Sequence, residues 1–317
     1  MRLIRGLHNL RTADYGCVAT IGNFDGVHLG HRAVFKRLLA RGRELGLPAT
    51  VITFEPQPLE FFNPTAAPAR LTRLREKLAA IHANGIDRVM LLEFNPKLAT
   101  LPAQNFVQQL LIDGLGVRFL LVGDDFRFGY QRRGDFALLQ TVGAAANFAV
   151  ENLHTVTHNN ARISSTRVRE ALALGDFAQA QHLLGRAYQI SGRVAYGEQR
   201  GRTIGFPTIN IHLHRRFSPL RGVYAVVVHG LGEQPHSGVA NIGNRPTISG
   251  RDDRLEVHLF DFDEQLYGRH LAVEFRHKLR DEQRFDSFDA LKQQIQQDAA
   301  NARAFLKRDC DQIKGIL

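Results

Sequence analysis

The sequence predicts an α/β domain built on a parallel sheet, followed by a smaller domain of short antiparallel strands closed by a helix. Three observations carry this reading. Apolar runs of strand length alternate with helical stretches through the first half, β-branched runs broken by Gly and Pro follow Gly185, and helical spacing resumes from about Ser287. Alternation of strand and helix marks a parallel sheet covered on both faces, whereas closely spaced short strands mark a barrel or sandwich. The domains are therefore expected at residues 1–185 and 186–317.

The elements follow in order. "CVATIG" reads as a strand, and Ala33 to Leu45 carries Val34, Leu38 and Leu45 near one helical face. "LPATVITF" is a second strand and "RLREKLAAIHANG" a helix ended by Gly85. "DRVMLLEF" and "VRFLLVG" are further strands, separated by the helical "AQNFVQQLLIDGLG". Ligands of such sheets sit beyond the carboxyl ends of the strands, so the loops after Ile21, Phe54 and Val122 are expected to converge. "TRVREALALG" and "DFAQAQHLLG" are short helices, each closed by a glycine suited to a helix C-terminus. Then come the strands "YQISGRVAYG", "FPTINIHLH", "GVYAVVVHG", "HSGVANIG", "RLEVHLFDF" and "HLAVEFRHKL", and a last helix with Phe288, Leu291, Ile295 and Phe305 on its apolar side.

Composition narrows the class. Of 317 residues, 44% are hydrophobic and 23% charged, which is globular usage rather than disorder. No apolar run is long enough for a membrane span, and the start lacks the pattern of a signal peptide. The only cysteines, Cys17 and Cys310, exclude a disulfide scaffold and a cysteine-rich zinc site, and a cytoplasmic setting is expected. The net charge of +10 calls for an anionic partner, which leaves nucleic acid and phosphate-bearing small molecules both open.

The stretch "TIGNFDGVHLGH", Thr20 to His31, carries the first chemistry. Gly22, Gly26 and Gly30 let the backbone approach a ligand, with Asn23, Phe24 and Asp25 in the same turn. The helix expected to begin near His31 points its free N–H groups and positive end there, which suits phosphate. His28 and His31 add hydrogen-bond donors; a shared metal ion is the alternative for two histidines so spaced. A second anion cradle is "ISSTRVR", Ile163 to Arg169, a hydroxyl-rich helix start with arginines.

His28-Leu29-Gly30-His31 matches the HxGH signature of nucleotidylyltransferases, and Ile163 to Arg169 matches their ISSTxxR signature. The wider "GNFDGVHLGH" resembles the FMN adenylyltransferase half of bacterial FAD synthetases. That resemblance implies a Rossmann-like domain in which Gly22, Asn23, Phe24, Asp25, Gly26, His28, His31, Arg162, Ser165, Thr166 and Arg169 bind ATP, His28 and His31 also stabilising the transition state. "TFEPQPLEFF" and "VGDDFRFG" match the same family, implying that Phe54, Pro56, Pro58, Phe62, Asp125, Phe126 and Phe128 line the flavin side. The implied reaction is attack of the FMN phosphate on the α-phosphorus of ATP. It needs no enzyme nucleophile, only positioning and charge stabilisation.

In the second domain, "GRVAYGEQRGRTIGFPTINI" places Thr208 and Asn210 on one strand face, about 7 Å apart. Hydroxyl and amide oxygens so placed suit Mg²⁺ or the phosphates it carries, and Gly192, Gly197, Gly201 and Gly205 permit a flap. Glu256 shares a strand face with His258 and Phe260. The segment resembles the riboflavin kinase domain, whose PTxN motif is here Pro207 to Asn210. The resemblance implies a β-barrel in which Gly192, Gly197, Arg202, Gly205, Thr208 and Asn210 hold Mg²⁺–ATP, with Thr208 and Asn210 as the metal ligands. It also implies Glu256 as catalytic base and Arg284 and Phe285 as flavin neighbours. The chain is thus expected to make FMN and then FAD from riboflavin and two ATP, with Mg²⁺ as cofactor and no nucleic-acid or membrane partner. A cytidylyltransferase-type enzyme would share the first two motifs without the barrel, and a nucleic-acid module would answer only the charge.

Overall fold

The computed structural model describes residues 1–153, 156–158, 161–196, 206–247 and 250–314. The chain divides into two compact units, Met1–Pro68 with Leu74–Ser164, and Ala69–Arg73 with Ser165–Leu317. The second unit therefore takes in a five-residue segment from early in the chain, and the two helices that precede the boundary expected at 185/186.

The first unit is a three-layer α/β/α structure. Its elements are β1 (Arg2–Arg5), β2 (Cys17–Ile21), α1 (Leu29–Leu45), β3 (Ala49–Glu55), α2 (Pro58–Phe62), α3 (Leu74–Ala83), β4 (Arg88–Glu93), α4 (Pro96–Ala99), α5 (Ala103–Phe106), β5 (Val117–Gly123), α6 (Phe136–Ala145), β6 (Ala149–Leu153), β7 (Thr157–His158) and β8 (Ala161–Arg162). The sheet runs β1-β4-β3-β2-β5-β6 with every pair parallel. All five residues of β2 are buried, as a central strand covered on both faces requires. One face packs Val18, Val51 and Phe119 against Phe35, Leu38 and Ile81 of α1 and α3. The other packs Ile52, Met90 and Leu120 against Phe106, Leu110 and Leu139. Complete burial of Phe35 and Leu38 contributes about 2 kcal/mol each. Cys17 lies in this interior, where burial pushes its thiol up to about 11 and leaves it inert at neutral pH.

Four strands went unread in the sequence, β7 and β8 among them with two residues each. β1 (RLIR) and β6 (AVENL) are the edges of the sheet, where one flank is free and a continuous apolar run is not required.

The second unit opens with α7 (Ser165–Leu174) and α8 (Phe177–Leu184), each followed by a glycine in the left-handed region, Gly175 at φ 75° and Gly185 at φ 69°. Then come β9 (Gln189–Ala195), β10 (Ile209–His212), β11 (Gly222–His229), β12 (His236–Thr247), β13 (Gly250–Leu259), β14 (His270–Arg280) and α9 (Phe288–Lys314). The six strands close into an antiparallel barrel in the order β10-β13-β12-β11-β14-β9. Leu255, Val257 and Leu259 fill the interior, while α9 lays Ala299, Ala302 and Leu306 against Val223, Ala225 and Val239 on the outer wall. Segment 69–73 is held by its backbone oxygens. Arg169 Nε donates to Ala69 O at 2.6 Å, Arg215 Nη1 to Arg70 O at 3.2 Å and Tyr188 Oη to Leu71 O at 3.0 Å. Among the described residues no helix is long and apolar enough to cross a membrane.

Candidate active sites

The strand order reverses at β2. The chain steps from β2 to β3 and β4 on one side, then returns to lay β5 and β6 on the other. A crevice opens at the carboxyl ends of strands at such a point, and the loops after β2 and β5 flank it. In the loop after β2, Gly26 sits at φ 80°, and Phe24 (φ 49°) and Val27 (φ 44°) are also left-handed. For a β-branched residue that costs on the order of 1–2 kcal/mol. Burial of both side chains in the α1–α3 core holds the turn in place.

α1 begins at Leu29 because His28 is its N-cap. His28 Nδ1 accepts the backbone N–H of His31 at 3.3 Å. A ring nitrogen that accepts carries no proton, so the ring is neutral and its donor is Nε2–H. The His28 and His31 rings stack at 3.6 Å and 17°, with the Phe24 ring edge-on to His31 at 5.1 Å. Gly30 makes room, since a Cβ there would lie 3.1 Å from the His28 ring and 3.4 Å from Ile163 O. His31 Nδ1 is buried and, among the described residues, has no hydrogen-bond partner. Burial first, then the charges of His28, Lys77 and Arg162, hold the His31 imidazole well below the usual histidine range. Two neutral imidazoles beside the positive end of a 17-residue helix offer hydrogen bonds to phosphate oxygens but no nucleophile.

The other first-unit candidates gather in two groups. Arg162 Nη2 donates to Asp125 Oδ1 at 3.1 Å, and that hydrogen bond holds the Asp125 carboxyl below its ordinary value. Phe126 and Phe128 stack at 5.5 Å, and Phe128 packs on Phe106 in the core. Phe54, Phe61, Phe62 and Phe94 form a chain of edge-to-face contacts at 5.3 to 5.8 Å, with Phe62 63% exposed at its end and Pro56 and Pro58 half-buried beside it. Phe94 was missed because its membership depends on β4 lying in register beside β3.

In the second unit, Asn210 of β10 pairs with Glu256 of β13, which pairs in turn with Asn241 of β12. Their side chains form one row on the outer wall, since Ile211, Leu255 and Val257 fill the interior. His258 and Phe260 lie on the same face as Glu256. His258 Nδ1–H donates to Pro207 O at 2.9 Å, and its ring meets Phe206 at 5.0 Å, which ties the start of the PTxN segment to this wall. Thr208 is exposed just before β10, while Asn210 is 8% exposed. Thr208, Asn210 and Glu256 are all hard oxygen donors. Among the described residues no cluster of three His, Cys, Asp or Glu could form a metal cage. Hard oxygen donors are the kind that Mg²⁺ takes, alongside water and nucleotide phosphates. Arg280, paired with Asp298 of α9, lies 5.7 Å from the Phe285 ring, and Arg284 beside it is exposed.

Some candidates have other surroundings. A Cβ at Gly192 would run into Ile211, so packing alone explains that glycine. Ser165 and Thr166 open α7, and Arg169 spends its Nε on Ala69 O. Gly197, Gly201, Arg202 and Gly205 lie outside the described residues.

Hydrogen-bond donors without a nucleophile in one unit, and a carboxylate among hard oxygens in the other, are what group transfer from nucleotide phosphates requires. The class is a nucleotide-dependent transferase with two centres. Residues 10–167 match the FAD synthetase family model and residues 184–306 the riboflavin kinase model. The chain is 55% identical to the bifunctional riboflavin kinase/FMN adenylyltransferase of Escherichia coli (strain K12) over 96% of its length and 98% of that protein's. It is 54% identical to the protein of the same description from Pseudomonas fluorescens, over 96% and 97%. A crystal structure described as a macrolide-efflux protein from Streptococcus pneumoniae matches with a TM-score of 0.76 and 29% identity, over 94% of this chain and 97% of that one. The chain belongs to the bifunctional riboflavin kinase/FMN adenylyltransferase family.

Proposed function

We propose that this chain makes FMN and FAD at two separate sets of residues, with functional halves at 1–185 and 186–317. In the first half the FMN phosphate oxygen attacks the α-phosphorus of ATP, the new P–O–P bond forms, and pyrophosphate leaves. His28 Nε2–H and the His31 ring donate to the phosphate oxygens as charge builds, and the start of α1 adds its positive end. Arg162, Ser165, Thr166 and Arg169 are the further ATP-binding candidates. The ledge of Phe54, Pro56, Pro58 and Phe62 is the flavin side, with Asp125, Phe126 and Phe128. The observation that carries this half is the stacked His28–His31 pair at the reversal point of the sheet.

In the second half Glu256 accepts the proton of the riboflavin 5′-hydroxyl while that oxygen attacks the γ-phosphorus of ATP, and ADP leaves. The row Asn210–Glu256–Asn241 supports this assignment, because it sets the base beside an amide suited to the nucleotide. Bound Mg²⁺ would be held by Thr208 and Asn210 and would neutralise phosphate charge. Arg284 and Phe285 are the flavin neighbours. The cytoplasm is the setting that fits an enzyme consuming ATP at both centres. Riboflavin, ATP and Mg²⁺ are incubated with the protein and the flavins resolved by chromatography. FMN followed by FAD is expected; neither product above a no-enzyme control would overturn the proposal.

A further inference from the structure

The PTxN motif straddles the end of a strand. β10 begins at Ile209, which pairs with Val257, whereas β13 runs on through His258 and Leu259. Pro207 and Thr208 therefore lie just outside the paired backbone that carries Asn210. A proline has no N–H to give, so its carbonyl is the one backbone group by which a hydrogen bond can hold it. That carbonyl is taken by a side chain, His258 Nδ1–H, at 2.9 Å. The His258 ring is braced on two sides, by Phe206 edge to face at 5.0 Å and by Phe260 at 5.8 Å. Phe260 is itself buried, with the Arg303 guanidinium of α9 4.2 Å from its ring, and Arg303 also donates to the adjoining Asp261 at 2.7 and 3.0 Å. We propose that His258 is a positioning residue of the kinase site, holding the Pro207 carbonyl and so fixing the backbone that sets Thr208 beside Asn210 for Mg²⁺–ATP.

The physical logic is one of order before binding. Two groups on one short segment grip a cation and its phosphates well only when both are in place before the ligand arrives. Asn210 is placed by main-chain pairing on both sides, with Glu256 of β13 and with Ala195 of β9. Thr208 is exposed and precedes that pairing. The bond from His258 does for Pro207 and Thr208 what the ladder does for Asn210. A carbonyl oxygen only accepts, so the ring carries its proton on Nδ1, and protonation of the second nitrogen leaves the contact intact. Without His258 the segment would be ordered at the expense of ATP binding, and the loss should fall on KM for Mg²⁺–ATP rather than on kcat.

This inference rests on the reading of Thr208 and Asn210 as Mg²⁺–ATP residues, and the two fail differently. H258F keeps an aromatic ring between Phe206 and Phe260 and removes the donor. KM for Mg²⁺–ATP in riboflavin phosphorylation should rise about threefold to tenfold, the worth of one hydrogen bond, while kcat stays within about twofold. H258N, whose amide nitrogen stands near the place of Nδ1, should recover most of the wild-type KM. In the wild-type protein, nitrogen NMR of the neutral His258 ring should find the proton on Nδ1. An unmoved KM in H258F, a fall in kcat without a change in KM, no recovery in H258N, or a proton on Nε2 would each overturn the proposal. Wild-type KM for Mg²⁺–ATP in both T208A and N210A would instead overturn the reading beneath it.

Discussion

His28 Nδ1 accepts the backbone N–H of His31 at 3.3 Å while the two rings lie face to face 3.6 Å apart. One side chain thereby finishes a helix and presents a donor. The two roles use opposite nitrogens of the same ring and can be separated by substitution.

Asparagine caps helices well but has no imidazole. H28N should therefore keep the stability of the first unit within about 0.5 kcal/mol and lose about 100-fold in FAD formation. H28A should lose both, the cap accounting for about 1 kcal/mol. Thermal denaturation alongside the FAD assay separates them. Wild-type activity in H28N would remove the imidazole from the chemistry.

Gly30 tests the same pair sterically. In G30A the new Cβ would press on the His28 ring and on Ile163 O. FAD formation should fall about 10- to 100-fold, the scale of a small misplacement at a reacting centre. Riboflavin phosphorylation should be unchanged, and a parallel loss would point to a folding defect.

Glu256 is expected to matter to one reaction only. E256Q keeps the shape and removes the base, so FMN formation should drop about 10²- to 10⁴-fold while supplied FMN is still converted to FAD. N210A should raise the concentration of Mg²⁺–ATP needed for phosphorylation, and a chelator should stop that step. Retained kinase activity in E256Q would dismiss it as base.

Glu274 is expected to contribute to the loss of the second unit's stability in acid. Burial opposes its ionisation, but hydrogen bonds from Arg276 (2.6 Å), Gln189 (3.0 Å) and His229 (3.0 Å) outweigh burial and hold its carboxyl below the ordinary value. A carboxyl lowered by folding contributes its full stability above the unfolded value, about 4.3, and loses it as the pH falls through the folded value. E274Q should cost about 2 kcal/mol at pH 7, a difference that narrows below about pH 4. Urea unfolding from pH 3 to 7 reads this directly; a constant gap would discount the ion pairs.

What the sequence made legible was local. The HxGH turn lies within one short stretch, and the expected strands and helices sit where periodicity placed them, with α1 starting earlier because His28 caps it. Glu256, His258 and Phe260 share a face simply because strands alternate. What stayed hidden required knowing which strands become neighbours. Asn241 joins Glu256 only through the β12–β13 ladder, and Phe94 reaches Phe54 only because β4 lies beside β3.

Residues 69–73 give the molecule an unexpected topology of dependence. The barrel-bearing unit includes five residues translated long before it, whose backbone oxygens are gripped by Arg169, Tyr188 and Arg215. No single cut yields both units whole: a fragment starting at Ser165 leaves the Arg169 and Arg215 guanidinium groups without the carbonyls they clasp. The two family models in tandem therefore do not mark two separately excisable pieces of chain. During synthesis the early segment must wait, exposed, for partners that emerge about a hundred residues later.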